Sequence, residues 1–200
     1  MEERQRCVHD GRTIDRLEAA MGIIYVHGIH HLHYLRHLIF PCCATLPATH
    51  RTESTPLLAK GDAQGTVGAV AIDMNGKLAA ASSTGGMCNK RPGRVGDTPL
   101  IGCGLYANAR LAVAATGRGE AFIHRAGAAR IAFAMEFGGM DLQAAVRNAM
   151  ADMDEGSGGF IAVDASGRIV MEYNTGGMFR AAWAAGDVEP TVMIWKDEPS

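Results

Sequence analysis

The chain has 200 residues, 48% of them apolar and 20% charged, which suits one or two globular units with a real core. A formal charge of −2 and a pI near 6.4 exclude the clustered Lys and Arg that non-specific nucleic-acid binding needs. Five cysteines, Cys7, Cys42, Cys43, Cys88 and Cys103, odd in number and without paired spacing, exclude a zinc ribbon or a secreted disulfide framework and read as reduced, cytoplasmic thiols.

The first twenty residues mix acids and bases as no secretory n-region does. Residues 21–40 have the length of a membrane span, but Arg36 and five histidines are costly in hydrocarbon, so no span and no membrane partner is expected. His27, His30, His31, His33 and His37 include i, i+3 and i+4 spacings that a helix could gather as metal ligands. No acidic or thiol ligand lies among them, and the tract is read as incidental, without a metal. The stretch up to Gly65 is rich in Pro, Ser and Thr and reads as an irregular connection. Composition changes near residue 60: seven of eight histidines precede it and 22 of 25 glycines follow it. Residues 1–65 are therefore set apart as a His-rich segment and linker, and residues 66–200 as the organised domain.

That domain begins with VGAVAID, residues 67–73, a small-apolar run of strand length that suggests burial on both faces. Asn75-Gly76 turns it, and KLAAASS returns. Residues 119–137 place Phe122, Ala126, Ala129, Phe133 and Phe137 at helical spacing, predicting one amphipathic helix stopped by Gly138-Gly139. Asp141 caps a second helix, LQAAVRNAM. GFIAVDASGRIVMEYN then repeats the first hairpin around Ser166-Gly167, so that residues 69–87 align on 160–178 down to a shared Thr-Gly-Gly-Met. Two such turns could face one site, or the motif could be hairpin geometry alone. TVMIW is a last strand. The order predicts an α+β fold with antiparallel pairing.

Within this frame stand GTVGAVAID, STGGMCNKRPGRVGDTPLIGCGLYAN and ATGRGE, in that order. Taken singly, Arg94 and Asp97 could be a surface ion pair, Thr66 a strand-edge residue, and Thr116-Gly117 a turn. Together the segments resemble the plant-type L-asparaginases and isoaspartyl peptidases, threonine-dependent N-terminal-nucleophile hydrolases. The resemblance is to their β-subunit and runs from Thr66 to the end, about two thirds of the chain.

The resemblance implies an αββα sandwich of antiparallel sheets and self-cleavage between Gly65 and Thr66. Thr66 would then be an N-terminal nucleophile whose own α-amine, with an ordinary pKa of about 7.7–8.0, serves as base. It implies that Arg94 holds the substrate α-carboxylate, Asp97 holds the α-ammonium, and Thr116 and Gly117 form the oxyanion hole. Thr84 stands beside the nucleophile, while Gly117 and Gly119 line the substrate pocket. The implied reaction is acyl transfer from the side-chain amide of asparagine or of a β-aspartyl dipeptide. No organic cofactor is implied; the family's structural sodium belongs to the α-subunit.

Most α-type sequence is not visible ahead of Thr66, so the sandwich is expected to be incomplete and the chain to form homo-oligomers or join an α-type chain. Two alternatives stand beside this reading. One is a truncated, inactive family member serving as an interaction module. The other is a glycosylasparaginase-like amidase, which Met87-Cys88-Asn89-Lys90 favours less. Smaller departures from the family pattern are Arg118 inside TG-GE, whose bulk would narrow the pocket, and Cys103, which has no His partner and reads as packing.

Overall fold

The computed structural model describes residues 66–87 and 89–196, with the backbone of three earlier strands, Cys7–His9 (β1), Arg12–Ile14 (β2) and Met21–Val26 (β3). The chain divides into two units, Met1–Leu17 with Ile29–Asp62, and Glu18–Gly28 with Ala63–Ser200. In the first, β1 and β2 pair antiparallel, Cys7 opposite Ile14. The histidines of the 27–37 tract, Gly65 and Cys88 lie outside the described residues.

In the second unit follow Thr66–Ile72 (β4), Leu78–Thr84 (β5), Leu105–Ala107 (β6) and Leu111–Gly117 (β7). Three helices come next, Gly119–Arg125 (α1), Gly127–Glu136 (α2) and Leu142–Ala151 (α3). Gly158–Asp164 (β8), Ile169–Tyr173 (β9), Arg180–Trp183 (β10) and Thr191–Met193 (β11) complete it. The strands form a five-stranded sheet, β11-β10-β3-β4-β5, and a four-stranded sheet, β6-β7-β8-β9. All their strand pairings are antiparallel.

Side-chain alternation along β7 explains how the layers meet. Leu111, Val113 and Ala115 point to one face and, with Phe160 and Ala162 of β8, pack under Phe122, Ile131, Leu142 and Val146 of the helices. Ala112 and Ala114 point to the other, where Ile161 and Val163 meet Val70 and Ile72 of β4 and Leu78 of β5. Strands buried on both faces must be apolar throughout, which is why LAVAAT and GFIAV show no alternation of polarity. Phe122 meets Phe160 edge to face at 5.1 Å. Truncating either ring to Ala is expected to cost about 3–5 kcal/mol.

Two expectations are corrected. The single helix over 119–137 is two: Ala126 takes a left-handed conformation, φ 46°, which stops α1 and re-aims α2. The apolar stripe therefore changes phase. Ala128, Ala129, Ile131 and Ala132 are buried, whereas Phe133 and Phe137 are exposed, although a continuous helix would have aligned both with Phe122. Moreover, Met21–Val26, from the His-rich N-terminal segment set apart from the organised domain, lies in the five-stranded sheet between β10 and β4, Ile23 opposite Val70. MGIIYV is an apolar, β-branched and aromatic run of strand length, and the adjoining histidines hid that signal. The second expected helix has its predicted cap, Asp141 Oδ1 accepting the Ala144 N–H at 2.8 Å. Among the described residues no helix is long and apolar enough to cross a membrane.

Candidate active site

Thr66, Gly68 and Val70 are the buried, inward-facing residues of β4, so alternation turns the Thr66 hydroxyl into the layer between the sheets. Thr66 lies opposite Thr84 in the ladder and its Oγ1 donates to Thr84 Oγ1 at 3.1 Å. Thr84 Oγ1 also accepts the Gly86 N–H at 2.9 Å. The nucleophile candidate is thus tied to the start of the loop that carries Arg94 and Asp97.

That loop borders a small open cleft, lined by Thr66, Thr84, Arg94, Asp97, Thr98 and Gly117 among others. Asp97 is 5% exposed, and its Oδ2 has no hydrogen-bond partner. Burial pushes its carboxyl above the usual range, while the backbone N–H groups of Asp97 and Thr98 and the charge of Arg94 pull the other way. Arg94 is held by Glu120 in α1 through two parallel bonds, Nε and Nη2 to the two carboxylate oxygens at 2.9 Å each. This fork raises the Arg94 pKa and lowers that of Glu120. Gly119 stands behind the pair. A Cβ there would lie 2.8 Å from Asp97 Oδ1 and 3.1 Å from Arg94 Nη2, so only glycine lets α1 start this close to both.

The β7 end of the cleft follows from ladder phase. Ala165 N–H donates to Arg110 O at 2.9 Å and Arg118 N–H to Ser157 O at 2.7 Å. Counting along the register makes Gly117 and Gly158 a non-hydrogen-bonded pair, in which each N–H points away from the other strand. The Gly117 N–H is therefore directed away from β8. Both glycines take φ near +138° (137° and 138°) and touch closely, for a Cβ on Gly117 would fall 2.0 Å from Ser157 O.

Of the residues expected to form the site, Thr66, Thr84, Arg94, Asp97 and Gly117 share the cleft. Thr116 is buried and Gly119 packs behind Arg94 and Asp97; neither lines it. Arg118 does not narrow the cleft, because its guanidinium turns to Asp154, Nη2 to Oδ2 at 2.5 Å. The second Thr-Gly-Gly-Met is absent from the cleft: Thr175 Oγ1 donates to Gly177 O, and Met178 lies in the core. Two residues were missed in the sequence. Glu120 was in view as the last letter of ATGRGE, and a Glu in the first turn after a candidate Arg site was its only signal; Thr98, beside Asp97, carried none. Cys103 is a free thiol whose pKa burial raises.

Comparison with known proteins agrees with this geometry. A family model described as Asparaginase matches residues 44–194. The chain is 52% identical over 138 residues to an isoaspartyl peptidase of Escherichia coli strain K12, covering 67% of this chain and 43% of that one. It is 45% identical over 132 residues to a probable isoaspartyl peptidase/L-asparaginase 2 of Arabidopsis thaliana, covering 66% and 40%. To a plant-type L-asparaginase of Pyrobaculum calidifontis it is 46% identical over 128 residues, covering 62% and 42%. The chain spans less than half the length of these relatives. With three quarters of its residues inside the family match, it belongs to the asparaginase family whose relatives include the isoaspartyl peptidases and plant-type L-asparaginases.

Proposed function

We propose that this chain is the catalytic part of an amidohydrolase that cleaves the side-chain amide of L-asparagine or of β-aspartyl dipeptides. One observation carries the reading: Asp97, whose buried Oδ2 has no hydrogen-bond partner, lines the same cleft as Arg94 and Thr66. A buried carboxylate oxygen without a donor is costly, and an α-ammonium would satisfy it. A guanidinium a few residues away suits the α-carboxylate of the same head group. With both ends of the head group held, a side-chain carbonyl reaches Thr66.

In this scheme Thr66 Oγ1 first attacks the Gly65 carbonyl. The peptide bond becomes an ester, water hydrolyses it, and the Thr66 α-amine is released. That amine then takes the hydroxyl proton while Oγ1 adds to the substrate carbonyl. Negative charge collects on the former carbonyl oxygen, where the Gly117 N–H, at the cleft, stabilises it. The amine group leaves with the proton, and water hydrolyses the β-aspartyl ester to restore Thr66. Thr84 holds the Thr66 rotamer through their 3.1 Å bond. The scheme needs no cofactor.

The same reading completes the fold and its assembly. The outward residues of β5, Ala79, Ala81 and Ser83, are exposed, and those of β4, Val67, Ala69 and Ala71, are half-buried. Such a small-residue face suits a further helical layer, giving an αββα sandwich, supplied by an α-type chain or a second copy. The free Cys103 thiol is compatible with a cytoplasmic setting.

Intact-mass spectrometry and ammonia release test the proposal together. A chain beginning at Thr66 that liberates ammonia from asparagine supports it. Thr66→Ala is expected to abolish both cleavage and turnover, and Arg94→Ala to spare cleavage and remove substrate binding. A fully active Thr66→Ala protein, or turnover by material still joined through Gly65, would falsify the scheme.

A further inference from the structure

Asn174 follows β9 and does not line the cleft. We infer that it is a positioning residue for the Gly117 N–H, acting through Ser157 and Gly158; the inference rests on the amidohydrolase reading above.

In the β8–β9 register, Gly159 faces Tyr173, so the next pair is Gly158 with Asn174. Asn174 N–H donates to Gly158 O at 2.9 Å as a regular ladder would have it. The reciprocal bond is missing. Gly158 N–H donates instead to the side-chain Oδ1 of Asn174 at 3.0 Å, and the backbone carbonyl of Asn174 accepts the Gly156 N–H at 3.1 Å. The amide side chain thus replaces its own backbone carbonyl in the ladder. Its Nδ2 donates to Asp154 O at 2.8 Å, the carbonyl that also receives Ser157 Oγ at 2.5 Å. One side chain therefore fixes both ends of the 154–158 segment.

That segment is what Gly117 rests on. A Cβ on Gly158 would fall 1.9 Å from Thr116 O and 2.8 Å from Gly117 Cα, and Ser157 O accepts the Arg118 N–H. The backbone on either side of the Gly117 N–H is held by Ser157 and Gly158, and these are held by Asn174. Without the side-chain acceptor, Gly158 N–H is free to recover the regular ladder bond, drawing the segment toward β9 and away from Gly117. A donor for an oxyanion acts only where its direction is fixed before charge develops.

The test uses the full chain with Asn174→Ala and Asn174→Asp, measuring ammonia release from L-asparagine and hydrogen exchange at the Arg118 and Gly158 amides. Complete loss of an oxyanion donor lowers kcat by about 10²–10³-fold. Misdirection by Asn174→Ala is expected to lower kcat roughly 10–100-fold with KM within about twofold, since the oxyanion exists only past the ground state. Exchange at the Arg118 amide is expected to accelerate, while the Gly158 amide, paired again in the ladder, is expected to stay protected. Asp keeps the acceptor for Gly158 and lacks the donor to Asp154, so Asn174→Asp is expected to recover part of the kcat loss; it also carries the test if the Ala variant fails to fold. Unchanged kcat despite faster exchange at Arg118, a rise in KM with kcat intact, or a fall in kcat with exchange at Arg118 unchanged would each overturn the inference. If the parent chain releases no ammonia, the amidohydrolase reading fails and exchange alone decides: faster exchange at Arg118 upholds the positioning of this backbone by Asn174, and unchanged exchange overturns it.

Discussion

The hairpins β4–β5 and β8–β9 have the same construction, and one of them opens onto the cleft. In the first turn Asp73 Oδ1 accepts the N–H groups of Asn75 and Lys77, both at 2.8 Å. In the second, Asp164 Oδ1 accepts those of Ser166 and Arg168 at 2.8 and 3.0 Å. Gly76 and Gly167 take φ of 75° and 83°, the left-handed position that closes a three-residue hairpin loop. Ladder register is also shared, so that Thr66 and Thr84 correspond to Ser157 and Thr175. At the open ends the likeness stops. The Thr66 hydroxyl meets Thr84, whereas the Ser157 hydroxyl turns back to Asp154 O. Turn chemistry builds the hairpin twice; the residues facing the open end decide whether chemistry can follow.

The strongest way to break this comparison is to remove the same hydroxyl from each hairpin. Thr84→Val takes away the acceptor of both the Thr66 hydroxyl and the Gly86 N–H, and a displaced nucleophile can cost about a hundredfold in kcat. Thr175→Val removes one bond to Gly177 O, which is expected to lower stability by about 1 kcal/mol and leave kcat within about twofold. Steady-state ammonia release and urea unfolding separate the two. Equal kcat losses would mean that the second Thr-Gly-Gly-Met shapes the cleft from outside it.

How far these features were legible follows from the range of the forces behind them. β4 and β8 were legible as unbroken apolar runs, although only β8 is buried on both faces and β4 is buried on one. The grouping of Thr66, Thr84, Arg94, Asp97 and Gly117 was implied by the family resemblance, because no local pattern tells that residues 66 and 117 share a cleft. The break at Ala126 was not legible, since alanine is the strongest helix former and its left-handed conformation is imposed by packing. The outward turn of Arg118 depends on Asp154, 36 residues away, and the fork of Glu120 on Arg94 spans 26. Contacts at such separations leave no periodicity to read.

A smaller effect, on stability, sharpens what the open end of the first hairpin demands. Burial raises the Asp97 carboxyl pKa above its unfolded value of about 3.9. The folded chain then binds that proton more tightly than the unfolded one. Its stabilising contribution is full below the unfolded pKa and is lost as pH rises through the folded value. At neutral pH the ionised, half-satisfied carboxylate weighs against folding. Asp97→Asn is therefore expected to melt higher than the parent at pH 7, the difference narrowing toward pH 4, while losing capture of an α-ammonium. Calorimetric scans across that range check the sign, and a lower melting point at pH 7 would mean that Arg94 outweighs burial.

The smallest expected effect tests the likeness itself. Gly76→Ala and Gly167→Ala each force an L side chain into the left-handed region, at roughly 1–2 kcal/mol. At Gly76 no atom lies within 4 Å of the added Cβ, so the conformational cost stands alone. The turns share a left-handed glycine and the same aspartate bonds, so the two losses in urea unfolding should agree within about 0.5 kcal/mol. Asn, which enters this region more readily than Ala, should recover part of each. Neither turn lies at an open end, so kcat should stay put in both. A loss at Gly167 far above that at Gly76 would show that the deeper burial of β8 couples its turn to the core, and that the two hairpins are alike in geometry without being alike in energy.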